Sequence, residues 1–367
     1  MSDLVRAAVS AIVEGRTLSM EEARLAMGAV MDGEATPSQL AALLMGLRMR
    51  GETVDELAGF ATAMRERVLR VEAPAGAIDV VGTGGDGAGT FNISTTAALV
   101  VASLGVPVAK HGNRAFTSKS GSADVLDALG VRIDHDADSA AVALREHNFA
   151  FLFAQAFHPA MRHAGPTRRE MGVRTAFNLL GPLTNPAGAT RALIGVGVTE
   201  AAPRIAEVAA RLGTERTFVI HGEGVDELPL DDTGVLYVVD PSGIERHEIK
   251  ATQLGFTMTP TRKLAGGTPI QNAKMVEDVL RGEPGARRDV VLLNAGAALL
   301  VAGIVDRIED GIDKAALAID AGMAEALLLG LRAERKAAEG AVRAAEAAAK
   351  TAAKAARKAA ASEEAKA

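Results

Sequence analysis

The chain contains no cysteine and no tryptophan, has a single tyrosine (Tyr237), and is only 3% aromatic over its 367 residues. Lack of cysteine excludes disulfide scaffolds, Cys-based zinc sites, iron–sulfur clusters and thiol catalysis. Scarce aromatics argue against stacking platforms for single-stranded nucleic acid. A formal net charge of −6 is no polyanion binder's signature. The longest weakly charged apolar run, Val290 to Val305, carries Asn294 and falls short of the ~20 residues a bilayer requires. It reads as a buried helix. Met1 to Arg16 alternates apolar residues with Asp3, Arg6 and Glu14, an amphipathic helix and not a signal peptide. The expected setting is soluble and cytoplasmic, with no membrane partner. Hydrophobic residues at 48% and charged residues at 23% are ordinary for a globular protein with a sizeable core.

Residues 1–70 read as helices only. Leu4, Ala8, Ile12 and Val13 are expected on one buried face, and Leu40, Leu43, Leu44 and Leu47 on another. Thr36-Pro37 fits a helix start, with Thr36 as cap and Pro37 in the first helical position. From residue 78 short apolar runs alternate with helical stretches: Ile78–Val81, Val106–Ala109, Phe149–Phe153, Leu193–Val198, Thr217–Ile220 and Val235–Val239 are expected strands. Gly105, Gly130 and Gly213 sit where helix C-caps belong. The fold class expected is therefore α/β: a small all-helical domain and a larger one with a mostly parallel sheet flanked by helices. Residues 331–367 hold 18 Ala, nine Lys or Arg and five Glu, a local charge of +4 that leaves −10 for the rest. With no apolar stripe, this segment reads as a solvated or disordered, partly helical tail.

In parallel sheets ligands bind beyond the carboxyl ends of the strands, so the strand-to-helix loops are where chemistry is expected. After the first strand, Gly82 to Gly89 packs five glycines into eight positions and leads through Thr90 and Asn92 to the helix-opening Ser94 and Thr95. Such a loop lets backbone N–H groups and a helix N-terminus close on phosphate. Gly82-x-Gly84-x-x-Gly87 matches a dinucleotide fingerprint literally. The expected ribose-binding acid is missing, since the second strand leads into Lys110, and no Gly-Lys-Ser/Thr follows for a Walker loop. The second loop, Lys110 to Asp124, places Lys110, Arg114, Lys119, Asn113 and several hydroxyls among glycines. Two such loops on neighbouring strands suit a ligand with two phosphorylated ends.

Gly82-Thr-Gly-Gly-Asp86, Lys110-His-Gly-Asn-Arg114 and Ser120-Gly-Ser-Ala-Asp124 closely resemble the signature loops of the anthranilate phosphoribosyltransferase family. The resemblance extends to Ala156–Arg168, to Arg174-Thr-Ala-Phe-Asn-Leu-Leu-Gly-Pro182-Leu-Thr-Asn-Pro186, to His221-Gly-Glu-Gly-Val-Asp226-Glu227, and to Leu292-Leu-Asn294-Ala-Gly-Ala-Ala298. It runs collinearly over residues 4–330. It implies transfer of the 5-phosphoribosyl group from phosphoribosyl pyrophosphate to the amine of anthranilate in tryptophan biosynthesis, giving N-(5-phosphoribosyl)anthranilate and pyrophosphate. It further implies Mg2+, two per active site, and a homodimer formed through the helical domain. That domain takes 1–70 and a returning segment at 166–190, while 71–165 and 191–330 form the donor-binding domain.

By the same resemblance, the donor is gripped by Gly82, Gly84, Gly85, Asp86, Thr90, Asn92, Ser94, Thr95, Lys110 and Ser122. Anthranilate falls to Gly82, Asn113, His158 and Arg168, and the metal to Ser94, Asp226 and Glu227. The residue types agree: adjacent carboxylates suit a hard cation, and an arginine fork suits a carboxylate. Anthranilate's aromatic amine is neutral at physiological pH, so no general acid or base is nominated. Phe116-Thr117, Gln155 and Pro229 depart from the family's usual wording. Two other classes compete with this reading. A pyrimidine nucleoside phosphorylase shares the architecture but carries Ser-Gly-Arg-Gly where this chain has His111-Gly112-Asn113-Arg114. A non-catalytic nucleic-acid-binding relative would have no use for intact Asn113, Arg168 and Asp226-Glu227.

Overall fold

Five buried strands form the parallel heart of the chain: β1 (Ile78–Gly82), β2 (Val108–Gly112), β3 (Phe149–Phe153), β4 (Arg191–Gly195) and β5 (Arg216–His221). The computed structural model describes residues 1–115, 119–222, 224–231 and 233–364. The expected Phe116 and Thr117 departures thus lie outside the described residues. The strands are buried on both faces, which is why they read as nearly continuous apolar runs. Sheet order is β3-β2-β1-β4-β5-β6-β7, with β6 (Thr233–Asp240) and β7 (Gly243–Lys250) antiparallel.

The sequence reading misses β7 because Gly243–Lys250 has no apolar run. Its side chains are almost all exposed, as an edge strand protected by charge would have them. Asp240 supplies the available signal. Its Oδ1 accepts from the Ser242 N–H at 2.7 Å and closes a turn onto Gly243, whose φ of 144° excludes most other residues.

The helical unit holds α1 (Asp3–Val13), α2 (Met20–Met31), α3 (Pro37–Arg50) and α4 (Val54–Glu66). Thr36 caps α3 in a capping box with Gln39, Pro37 opens it, and Gly51 ends it at φ 90°. Leu40, Leu43, Leu44 and Leu47 are buried, as their spacing predicts. The α1 face differs from expectation: Val5, Ala8, Ala11 and Ile12 are buried, whereas Leu4 and Val13 are exposed. Both rotations of the wheel offer an aliphatic stripe, and packing against α2 and α3 selects the Val5 side.

Between the strands run α5 (Ile93–Ser103), α6 (Ser122–Ala128), α7 (Ala137–His147), α8 (Ala154–Phe157), α9 (Gly165–Met171), α10 (Phe177–Leu180) and α11 (Ala202–Arg211). Of these α9 packs on α3 and α10 on α4, so the segment after β3 does return to the helical unit. Then follow α12 (Pro269–Leu280), α13 (Ala286–Ala302), α14 (Ile308–Asp320) and α15 (Met323–Glu364). Helix α13 covers the run from Val290 and is buried against α5. No described helix is long and apolar enough to cross a membrane.

Helix α15 docks further than composition suggests. Leu328 and Leu331 are buried, Arg332 donates to the Leu129 carbonyl at 2.6 Å, and Arg335 to that of Asp127 at 3.1 Å. Arginine forks on the open carbonyls at the end of α6 replace the missing apolar stripe. Beyond them residues 339–350 of the same helix are exposed.

Candidate active site

Strand order reverses at β1: β2 and β3 lie on one side of it, β4 and β5 on the other. The loops leaving β1, β4 and β5 therefore diverge from one crevice at the carboxyl edge, the switch point where parallel sheets bind ligands. Thr83 N donates to the Gly195 carbonyl at 2.8 Å, and Gly197 N to Thr83 Oγ1 at 3.3 Å, knitting the β1 and β4 loops together. Gly84, Gly85, Gly87 and Gly89 have φ between 62° and 76°, left-handed values that only glycine adopts in succession at little cost.

The acid pair arrives from the β5 loop. Asp226 Oδ2 accepts from Gly84 N at 2.9 Å, and Glu227 Oε1 accepts from Ser94 N at the start of α5, also at 2.9 Å. Each acid thus points at one arm of the first loop. Burial pushes the Asp226 pKa up to about 6, with the Asp86 carboxylate adding repulsion. Burial, then Asp226, pushes that of Glu227 well above its ordinary value. A Cβ on Gly82 would overlap the Asp226 carboxylate, and one on Gly195 the Asp226 main chain. Gly82→Ala should therefore displace Asp226 and, under the metal-holding role proposed for Asp226 below, raise the magnesium concentration for half-maximal activity several-fold. A magnesium titration of the variant's initial rate is the check. An unchanged midpoint would show that Asp226 accommodates the methyl.

Asn294 explains why this acid loop holds its place. Fully buried in α13, it accepts from Leu228 N at 2.9 Å and donates to Leu228 O at 3.0 Å and Val290 O at 2.9 Å. Its motif is legible in the sequence, its task is not.

Lys110 lies beneath the crevice, 2% exposed, donating to the Val80 carbonyl. Burial pulls its pKa down, and Asp79, Glu227 and Asp226 pull it back up. Asp79, also fully buried and pushed up to about 6 by burial, takes hydrogen bonds from Asn185 Nδ2 at 2.7 Å and His111 N at 3.2 Å. The sequence reading singles out neither Asp79 nor the Asn185 side chain, which the fold brings beside Lys110 and His111. In sequence Asp79 is a lone acid interrupting an apolar strand.

On the second loop, Asn113 Oδ1 accepts from Arg114 N at 2.8 Å, and Ser122 Oγ, at the first turn of α6, donates to the Asn113 carbonyl at 3.3 Å. Arg114 is paired with Asp124 at 2.9 Å, so its charge is partly spent. Asn92 joins the two loops, donating to the Ser120 carbonyl at 3.2 Å. Thr90 pairs with Ala265 in an isolated bridge, and Thr95 is buried at the start of α5. Asp86 Oδ1 accepts from Ala88 N at 3.1 Å, and its carboxylate also faces Asp226.

Toward the helical unit, His158 is buried with Nε2 lacking any hydrogen-bond partner, its ring 5.1 Å from that of His111. Burial lowers the pKa of His158 to about 4 and of His111 to about 3, so both rings are neutral at pH 7. Arg168 on α9 stands 4.7 Å above the Phe177 ring. Burial alone lowers its pKa, with no neighbouring carboxylate opposing that shift. A half-buried guanidinium with no carboxylate partner among the described residues suits a carboxylate ligand. Arg174, also missed as a site residue, donates to Gly85 O at 2.8 Å and latches the returning segment to the glycine loop. His221 is spent on Val196 O and Thr199 Oγ1, each at 2.6 Å.

Hard carboxylate oxygens fit magnesium by type. Among the described residues no group of three or more His, Asp or Glu could hold an ion alone. Magnesium commonly takes one or two carboxylates and completes its shell with water and phosphate oxygens.

Two family models match the chain: the glycosyl transferase family helical bundle domain over residues 6–68 and its a/b domain over 75–325. A curated relative from Xanthobacter autotrophicus, an anthranilate phosphoribosyltransferase, is 50% identical over 292 residues, covering 79% of this chain and 85% of its own. The crystal structure of the anthranilate phosphoribosyltransferase from Thermus thermophilus superposes with a TM-score of 0.85 at 44% identity, covering 90% of this chain and 99% of that one. That of Saccharomyces cerevisiae, in complex with phosphoribosyl pyrophosphate and Mg, gives 0.84 at 25% identity, covering 92% and 99%. With both domain models in order and half the aligned residues shared with such a relative, this chain belongs to the anthranilate phosphoribosyltransferase family.

Proposed function

We propose that this crevice transfers the 5-phosphoribosyl group of phosphoribosyl pyrophosphate to the amine of anthranilate, releasing pyrophosphate. The observation that carries the reading is the pair of bonds from Gly84 N to Asp226 and from Ser94 N to Glu227. They set two acids opposite a loop built to bind phosphate. The glycine loop and the first turn of α5 bind the pyrophosphate with backbone N–H groups. Asn92, Lys110 and the second loop, with Ser122, neutralise and orient the phosphorylated sugar. Asp226 and Glu227, with the Ser94 hydroxyl, hold magnesium, which supplies charge neutralisation on the departing pyrophosphate. The two acids address different arms of the loop, which supports two ions and not one.

Arg168 holds the anthranilate carboxylate, with Asn113 and His158 around the amine and ring. Both buried histidines are uncharged at pH 7, and the anthranilate amine is already neutral and needs no strong base, so the site works by juxtaposition and electrostatic stabilisation of the leaving group. Leu4, Met45 and Met49 lie exposed on α1 and α3, apolar side chains open to a homodimer contact through the helical unit. A cytoplasmic setting agrees with this biosynthetic role.

Loss of anthranilate fluorescence on adding phosphoribosyl pyrophosphate, with and without magnesium, tests the reaction. Turnover of a uracil or thymine nucleoside with phosphate would favour a phosphorylase instead. Silence in both assays with salt-sensitive DNA binding would favour a non-catalytic relative. Arg168→Ala should raise the anthranilate KM by about tenfold or more while leaving that of the donor nearly unchanged, as loss of a charged hydrogen-bonding partner does. Equal effects on both constants would move Arg168 away from the acceptor.

A further inference from the structure

Asn272, in the first turn of α12, is 1% exposed and belongs to none of the groups assigned to substrate above. Its carboxamide sits in a chain of hydrogen bonds whose two ends have only one polarity. At one end the Gly267 backbone N–H can only donate, and it meets Asn272 Oδ1 at 2.6 Å. The Asn272 NH2 is thereby turned toward Asn92, whose Oδ1 accepts it at 2.8 Å. The Ser120 hydroxyl reaches the same oxygen at 3.4 Å. With its oxygen so occupied, Asn92 must present Nδ2 to the second loop. There the Ser120 carbonyl, which can only accept, takes one hydrogen at 3.2 Å. Neither amide can flip without setting donor against donor or oxygen against oxygen, a costly arrangement for partly buried groups.

The backbone around Asn272 is committed to the same loop. Gly266 N donates to Gly89 O and Phe91 N to Leu264 O, both at 2.9 Å, and Thr90 pairs with Ala265. A Cβ on Gly266 would lie 2.8 Å from Thr90 O and 2.9 Å from Asn272 Oδ1. The segment before α12 therefore closes on the end of the first loop, with the Asn272 amide at the junction.

We propose that Asn272 is a positioning residue for the phosphoribosyl donor. It fixes Asn92 with one amide hydrogen on the Ser120 carbonyl and the other available to a phosphate oxygen, and so sets the two ligand loops in register. The proposal rests on the donor-binding reading given above, through Asn92.

A double-mutant cycle on donor affinity tests it, with calorimetry of phosphoribosyl pyrophosphate binding to the full chain in magnesium. Asn272→Ala should weaken binding about three- to tenfold, the size of effect expected for one neutral hydrogen bond. The anthranilate KM should hold. Asn92→Ala should weaken binding at least as much, and the double variant no more than Asn92→Ala alone, because Asn272 acts through Asn92. Losses that multiply would overturn the proposal, as would wild-type affinity in Asn272→Ala. If Asn272→Ala does not fold, Asn272→Leu enters the same cycle, since it fills a similar volume and has no hydrogen to give Asn92. Failure of the wild-type chain to bind the donor would instead defeat the functional reading.

Discussion

Asp226→Asn combined with Glu227→Gln is expected to lower kcat/KM for phosphoribosyl pyrophosphate by about 10²-fold or more, while the melting temperature holds or rises. The two effects have a common origin. Glu227 is buried and the adjacent Asp226 partly so, Asp86 flanks them, and desolvation with like-charge repulsion raises both pKa values, that of Asp226 to about 6. Without a cation the folded chain bears the cost of ionising them. Neutral isosteres remove that cost and keep the volume. Under the metal role proposed for this pair, the same exchange removes the charge that draws magnesium, and an electrostatic contribution to the transition state is commonly worth about 10² to 10³ in rate. The pH dependence has a definite sign. A carboxyl with a raised folded pKa costs stability above that pKa, and the cost fades as pH falls through it. In metal-free buffer the stability gain of the double variant should therefore be largest above about pH 6 and shrink below it. Melting curves on the alkaline and acid sides of that value read this directly. An unchanged magnesium response in the kinetics would remove the metal assignment.

The glycine loop and the second loop are legible because their tasks are local. Successive positive-φ glycines and a helix-opening Asn-Ile-Ser-Thr carry their chemistry in their own backbone. The strands are legible because a sheet buried on both faces demands unbroken apolar runs. The hidden parts depend on partners distant in the chain. Asn294 matters because α13 passes behind Leu228, and Arg174 because the returning segment crosses Gly85. Nothing near either residue in sequence states those meetings. Asp79 is hidden by its strand, where one acid among Ile78, Val80 and Val81 reads as an interruption of the core, until Lys110 is found facing it. Strand β7 escapes for the opposite reason: exposed and charged, it offers hydrophobic periodicity nothing to detect.

The last expectation concerns the cation beneath these acids. Lys110→Met should destabilise the fold by about 3–5 kcal/mol, the cost of leaving a buried charge without its partner. Lys110 faces Asp79 on one side and the Asp226–Glu227 pair on the other, and its ammonium is held by the Val80 carbonyl. Asn185 and the His111 N–H still bond Asp79 in the variant, yet neither carries charge, so its pKa climbs beyond about 6. Stability of Lys110→Met should then rise as pH falls from about 8 toward 6, more steeply than in the wild-type chain, because the folded state takes up a proton that the unfolded state does not. Adding Asp79→Asn should restore much of the stability, since a neutral pair of similar volume commonly replaces a buried ion pair at little cost. It should not restore donor affinity, because the buried cation below the phosphate loops is still missing. Urea unfolding at the two ends of that pH range, with donor binding measured on the same samples, separates the two roles. If Lys110→Met is as stable as the wild-type chain, or if Asp79→Asn rescues nothing, then Lys110 does not serve as the counter-charge of this buried cluster.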